Sequence, residues 1–325
     1  MKRIISIVIS ALLLLSMLAL GACGEKKDDT TVRIAGLKGP TSIGMIEIME
    51  NADSGKSEYS YDFSIAGSAD EITPLMVKGE LDIAAVPANL ASVLYNKTEG
   101  GIKVLAVNTL GVLYIVERGE SITALTDLKG KTIYATGKGS TPEYNLRYLL
   151  QSAGVDPDND VAIEWKTEPS EVVALMSQEP GSVAMMPQPY VTVAQSSIED
   201  LRIALNLTQE WSALGTGSEM VTGVVIARSE FVEEHPSIIK GFLEEYKHSV
   251  EFVNSSVSEA AALVEKFDIV KAAVAEKAIP YCNIVFITGN EMQSSLGGYL
   301  QVLFDQNPAS TGGALPGDDF YYGVK

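Results

Sequence analysis

The chain has 325 residues, 46% of them hydrophobic and 20% charged, with a formal net charge of −18. That balance suits a folded body of two domains at about 100–200 residues each, and it excludes nucleic acid or an anionic lipid surface as the main ligand, because both require clustered Lys and Arg. Cysteine occurs only at Cys23 and Cys282, so stability must come from an apolar core rather than from a disulfide framework.

Lys2 and Arg3 lead into an uncharged run that closes on Leu20-Gly21-Ala22-Cys23. A basic start, an apolar centre and small residues at the break describe a secretory signal peptide. The Leu-Gly-Ala-Cys exit resembles the bacterial lipobox, in which cleavage precedes a diacylglycerol-modified cysteine. Residues 1–22 are therefore expected to be a lipoprotein signal peptide. Lipidated Cys23 and the polar stretch to residue 30 would then form a flexible tether, holding the body outside the cytoplasm on the cell membrane.

Apolar strands then alternate with helical segments. A short strand at 32–35 breaks at Gly36, and Ile43, Met45, Ile46 and Met49 follow at helical spacing. A second strand at 61–66 breaks at Gly67-Ser68, and the helix after it, at about 70–78, ends on Gly79 as its C′ residue. A third strand at 81–86 stops at Pro87. Strand, helix, strand at this spacing makes parallel βαβ units, and the segments 103–108 and 111–117 are expected to continue the same sheet.

The pattern restarts after the polar turn at 126–131. Strands are expected at 132–136, 161–165, 182–186 and 201–205, with helices at about 142–152, 170–177 and 190–196. Beyond the apolar strand 221–227, His235-Pro236 opens a long amphipathic helix with Ile239, Phe242, Tyr246, Val250 and Val253 on one stripe. Too few strands remain for a third sheet. Residues 31–118 plus 223–325 are therefore expected to form lobe 1, and 119–222 an inserted lobe 2, joined by crossovers near 117–122 and 220–223.

Four segments in order carry a family resemblance: the Gly-rich break after the first strand, Gly79-Glu80-Leu81-Asp82-Ile83-Ala84, Asp127-Leu128-Lys129-Gly130-Lys131-Thr132-Ile133, and the return segment 227–236. Together, behind a lipobox, they resemble the nitrate/sulfonate/taurine-type (NitT/TauT) substrate-binding proteins of ABC importers over about residues 31–270. The resemblance implies an α/β, two-lobed type II periplasmic-binding-protein fold, each lobe a mostly parallel sheet covered by helices, with a two-crossover hinge. It also implies a monomer that captures a small anionic or planar heterocyclic ligand and delivers it to a permease and its ATPase.

In open parallel sheets ligands bind beyond the carboxyl ends of the strands. Those positions nominate Lys38, Thr41, Ser42, Gly67, Ser68, Pro87 and Asn89 in lobe 1, and Gly139, Ser140, Thr141, Gln188 and Tyr190 in lobe 2, with Lys138 as added charge. The helix starts at Thr41-Ser42 and Ser140-Thr141 favour an anion. Tyr95, Tyr144, Tyr190 and Trp211 are candidates for stacking on a planar ligand.

Other signals fail on spacing. The segment 136–141 lacks the first glycine of a P-loop and has Gly139 where Ser or Thr must follow Lys138. Asp156, Asp158 and Asp160 imitate a calcium loop, but Val161 and Thr167 stand where Gly and Glu are required. His235 and His248 are the only histidines and cannot build a metal triad. A Ser nucleophile would lack a His base before residue 235. The reading is therefore a binding protein rather than an enzyme, with no metal or cofactor; a ligand-sensing lipoprotein is the alternative.

Overall fold

A computed structural model describes residues 30–324 of the protein. The leader, the lipobox and Cys23 lie outside the described residues. The first part alternates β1 (Thr31–Leu37), α1 (Pro40–Ile43), α2 (Ile46–Asp53), β2 (Ser60–Ala66), α3 (Ala69–Lys78), β3 (Ile83–Pro87), α4 (Ala88–Lys97) and β4 (Ile102–Leu110). Next come β5 (Leu113–Arg118), β6 (Thr132–Thr136), α5 (Thr141–Ser152), β7 (Ala162–Lys166), α6 (Pro169–Gln178), β8 (Val183–Pro187), α7 (Tyr190–Ser197), β9 (Leu201–Asn206) and α8 (Leu207–Ala213). The chain returns through β10 (Val221–Arg228) and continues as α9 (Ser229–Glu234), α10 (Pro236–Ser255), α11 (Val257–Lys266), α12 (Ala272–Ala278), β11 (Ile284–Ile287) and α13 (Gly289–Gln306).

Two sheets result, in the orders β11-β4-β10-β3-β1-β2 and β7-β6-β8-β5-β9. β1 runs parallel to β2 and β3, and β6 runs parallel to β7 and β8. Each sheet also takes one strand from the crossing chain, antiparallel to its neighbours: β10 between β3 and β4, and β5 between β8 and β9. The architecture is the two-lobed α/β arrangement expected from the sequence.

The first crossover corrects the expected boundary. β5 pairs with β8 and β9, so residues 113–118 belong to the second sheet, and the chain changes lobe at Gly111-Val112 rather than near 117–122. Alternation alone could not show this, because a strand buried on both faces reads the same in either sheet. Glycine is required at both crossings by close approach. A Cβ on Gly111 would sit 2.1 Å from Thr208 Oγ1, and one on Gly223 would sit 2.5 Å from Thr41 Cγ2.

Three apolar clusters fill the molecule. One lies under α10, α11 and α12 on one face of the first sheet, with Ile34, Ile83, Phe242 and Tyr246 fully buried. Another lies under α6 and α7 on the second sheet, around Val116, Val172 and Met186. The largest is shared by both lobes: Val86, Ala91 and Val104 join Ile115, Ile133 and Leu149 in one cluster. α13 completes that layer through Leu296, Tyr299 and Leu303, with the Tyr299 ring 5.4 Å from that of Trp211. Residues 289–306 therefore back both lobes rather than lobe 1 alone, and each fully buried Leu or Ile in the layer contributes about 1.5–3 kcal/mol.

One buried carboxylate anchors each lobe. Asp82, 2% exposed, accepts from the Arg33 amide at 2.9 Å and from the Arg33 and Arg228 guanidiniums at 2.6 and 3.0 Å. Glu117, 1% exposed, accepts from the amides of Ser121 and Ile122 and from Arg202. Burial would raise both carboxyls, but these donors outweigh it and hold both below their ordinary values. A depressed folded pKa gives stability that is complete above the unfolded value, about 4 for Asp and Glu, and lost as pH falls through the folded value. Urea unfolding midpoints should accordingly be flat near neutrality and fall in acid. Asp82→Asn should lower the neutral plateau and flatten that acid limb; an acid limb of unchanged steepness would show that Asp82 does not contribute to it.

Candidate ligand-binding cleft

The cleft follows from strand direction. The loops that leave the carboxyl ends of β1, β2 and β3 face those leaving β6, β7 and β8, and between them lies a cavity of about 390 Å³. Lobe 1 contributes Lys38 and Thr41 after β1, Gly67 and Ser68 after β2, and Pro87 with Leu90 at the start of α4. Lobe 2 contributes Thr136, Lys138, Gly139 and Ser140 after β6, Trp165 and Thr167 around the end of β7, and Pro187 at the end of β8. The crossing strands add Leu113 and Thr222 to the lining.

Of the residues nominated from sequence, Lys38, Thr41, Gly67, Ser68, Pro87, Gly139 and Ser140 line this cavity. Ser42, Asn89, Thr141, Gln188 and Tyr190 do not, and the hydrogen bonds of the first four show why. The Ser42 hydroxyl donates to Leu37 O at 2.6 Å, tying α1 back to the end of β1. Thr141 Oγ1 donates to Asn89 Oδ1 at 3.1 Å, and Asn89 Nδ2 donates to Ser310 O at 3.0 Å, so this pair locks α4 to α5 behind the cleft. Gln188, in the turn before α7, accepts from the Thr192 hydroxyl of that helix at 2.9 Å. Tyr190 is 6% exposed; burial, with Glu168 and Asp268 nearby, pushes its hydroxyl up to about 12.

The stacking candidates also move. Trp211 is fully buried between Tyr148 and Tyr299, and Tyr95 donates to Asp319 at 2.6 Å away from the cleft. Neither Tyr144 nor Tyr190 lines the cavity, whereas Trp165 does. Its signal was its place, one residue from the carboxyl end of β7. Thr222 was missed because it sits on the returning strand, whose entry point becomes part of the cleft only once the two sheets face each other.

The lining combines apolar walls with cationic side chains. Pro40, Pro87, Pro142, Pro169, Pro187 and Trp165 give flat hydrocarbon faces. Lys38, Lys138 and Lys166 supply three positive charges against the single carboxylate of Asp70, inside a chain that carries −18 overall. Lys38 pairs with Asp268 at 3.1 Å and Lys166 with Glu164 at 3.0 Å. Lys138 is exposed and has no carboxylate partner among the described residues. The hydroxyls of Thr41 and Thr222, on residues 5% and 8% exposed, have no hydrogen-bond partner.

Two lobes built on mixed sheets, rather than the mostly parallel ones expected, crossed twice by the chain and enclosing a cavity at their strand ends, define a periplasmic-binding-protein-type ligand-capture protein. A family model described as ABC transporter, phosphonate, periplasmic substrate-binding protein matches residues 50–277, and the chain belongs to that family. Among the described residues no helix is long and apolar enough to cross a membrane.

Similar solved structures carry the same fold. An ABC transporter protein from Parabacteroides distasonis is 22% identical with a TM-score of 0.73, over 90% of this chain and 99% of that one. The alkanesulfonate-binding protein SsuA from Xanthomonas axonopodis pv. citri, bound to MOPS, is 13% identical with a TM-score of 0.70, over 92% of this chain and 99% of that one. A Brucella abortus (strain 2308) chain named as a binding protein is 24% identical over 174 residues, 54% of this chain and 52% of that one. The match thus spans about half the length of that relative.

The lock between lobes gives a test that separates lining from backing. Asn89→Ala removes the acceptor of the Thr141 hydroxyl and the side-chain donor to the Ser310 carbonyl in a buried setting, a loss of about 1–3 kcal/mol. Urea denaturation should show that loss, with an unchanged ligand-to-protein stoichiometry in calorimetry. Wild-type stability in this variant would place the inter-lobe lock elsewhere.

Proposed function

We propose that the protein captures a small organic oxyanion with an apolar or planar body, in the manner of the nitrate/sulfonate/taurine-related binding proteins, and hands it to a membrane permease driven by its ATPase. The observation that carries this reading is the charge contrast of the cleft: three lysines against one carboxylate in the lining of a protein with net charge −18. The cavity, about 390 Å³, falls in the range of small-molecule sites, roughly 300–1,000 Å³. Its proline and tryptophan walls would carry the ligand's body while Lys138 and the hydroxyls of Thr41 and Thr222 meet its polar end.

Lys138 is the residue to remove. Lys138→Gln should weaken binding of carboxylate and sulfonate ligands by about tenfold, equivalent to roughly 1.4 kcal/mol, and should reduce the salt dependence of the affinity. Calorimetry at two ionic strengths reads both. An affinity equal to wild type at low salt would remove Lys138 from the site, and a ligand screen in which only uncharged compounds stabilise the protein would reject the anion reading.

We further propose that the mature chain starts at Cys23, lipidated there and tethered through residues 24–30. Fully extended, those seven residues would reach about 25 Å. Cys23→Ala should abolish palmitate labelling and release the protein into the soluble fraction. Continued labelling of that variant would count against the anchor.

A further inference from the structure

The chain has two tryptophans, Trp165 and Trp211, and the fold uses them differently. Trp211 is fully buried between the rings of Tyr148 and Tyr299, at 4.9 and 5.4 Å, and its Nε1 donates to Ser218 O at 3.1 Å. Trp165 is half-buried. It packs against the apolar layer shared by the lobes and also lines the cavity, yet among the described residues its ring has no aromatic or cationic partner and its Nε1 has no acceptor. Its neighbour across the sheet is Ala135 on β6, a side chain too small to cover an indole, and β7 is an edge strand. A tryptophan inside a protein ordinarily finds both ring contacts and a partner for its N–H; Trp165 keeps both capacities at the wall of the cleft.

The surfaces around it are rigid and flat. Pro40, Pro142 and Pro169 stand in the first turns of α1, α5 and α6, and all three line the cavity. Proline at such a position puts a ring of fixed geometry where another residue would put a mobile side chain, and it loses almost no side-chain entropy when a ligand covers it. Three residues beyond Trp165, Glu168 reaches lobe 1, where a Cβ on Gly67 would lie 2.8 Å from its Oε1. The indole therefore lies beside a close approach of the two lobes.

We infer that Trp165 is a specificity-determining residue that selects ligands carrying an aromatic ring: the indole stacks on the ring of the bound molecule while the lysines and hydroxyls of the lining hold its oxyanion head. This rests on the proposed capture of an organic oxyanion and specifies the body of the ligand, leaving the head group, whether sulfonate, phosphonate or carboxylate, unrestricted. Offset or edge-on contact between two aromatic rings adds to what burial of the same area supplies, enough for about two- to tenfold in affinity. Area alone works the other way, because a saturated cyclohexyl body presents more apolar surface than a phenyl one. Preference for the aromatic body therefore reports stacking rather than general hydrophobicity.

Two pairs of probes that differ only in the ring test this: benzenesulfonate with cyclohexanesulfonate, and phenylphosphonate with cyclohexylphosphonate. Calorimetric titration of the wild-type protein should give the aromatic member of whichever pair binds about a two- to tenfold preference. Trp165→Leu should reduce that ratio to unity or below by weakening the aromatic member, and Trp165→Tyr, which restores a ring, should recover part of it. Fluorescence gives an independent readout, because Trp211 is fully buried: an aromatic ligand should shield from acrylamide the emission that Trp165→Leu removes. The wild-type comparison needs no variant and stands even if a substitution impairs folding. Equal affinities, a preference for the cyclohexyl member, or an aromatic preference that survives in Trp165→Leu overturns the inference. Absence of binding by all four compounds instead rejects the organic-oxyanion reading on which it rests.

Discussion

Asp82 holds together strands drawn from distant parts of the chain. β1 brings Arg33, the entry to β3 brings the carboxylate, and β10 brings Arg228 after the chain has built the whole of the second lobe. The same residue also fixes the backbone: its amide donates to Arg33 O at 2.9 Å, and its carbonyl accepts from the Arg228 amide at 3.0 Å. A returning strand with Val224, Val225, Ile226 and Ala227 all buried has no polar alternation to set its register, and a one-residue slip would be weakly penalised by burial alone. Desolvating a carboxylate is costly and is repaid only in the correct register, where both guanidiniums reach it. The knot therefore contributes specificity more than net stability, and it makes an interrupted lobe close on itself in one way.

A cleft between two such lobes inherits its position from that register. With β10 placed between β3 and β4, Thr222 at its entry arrives beside Thr41, and Gly223 has room only because it lacks a side chain. Gly111 does the same at the other crossing, where Thr208 packs against it. Behind these crossings the lobes share an apolar layer with α13 and the Asn89–Thr141 bond, so separation along that side would expose a continuous core.

The fold was legible because its signals are local. Gly79 at φ 72° ends α3 as its place in the sequence required, and the amphipathic stripe from Ile239 to Val253 marked α10. The lobe to which β5 belongs was not legible. Leu113, Tyr114, Ile115, Val116 and Glu117 are all buried, and nothing in such a run says which sheet will bury it. Five of the twelve nominated cleft residues lie outside the lining for the same reason. Position at a strand end located the loops, but whether Ser42, Asn89 or Thr141 faces a ligand or a neighbouring carbonyl depends on partners such as Ser310, which lies 221 residues from Asn89. Local periodicity contains no information about such contacts.

The acidity of the chain and the basic character of its cleft are compatible because they act over different ranges. At physiological ionic strength a net charge is screened over about 8 Å, so an anion approaching the surface meets little of the distant carboxylates. Inside the cleft, walls of proline and tryptophan exclude water and lower the effective dielectric, so each nearby charge acts more strongly. There the balance depends on which groups are already neutralised. Glu143 is held by Arg147 and by the Gly139 amide, and Lys38 by Asp268. Lys138 has no such partner among the described residues, and its loop carries two left-handed glycines, Gly137 at φ 83° and Gly139 at φ 74°. Those backbone angles disfavour most side chains, so the loop conserves its shape through glycine and leaves the lysine between them to meet what enters.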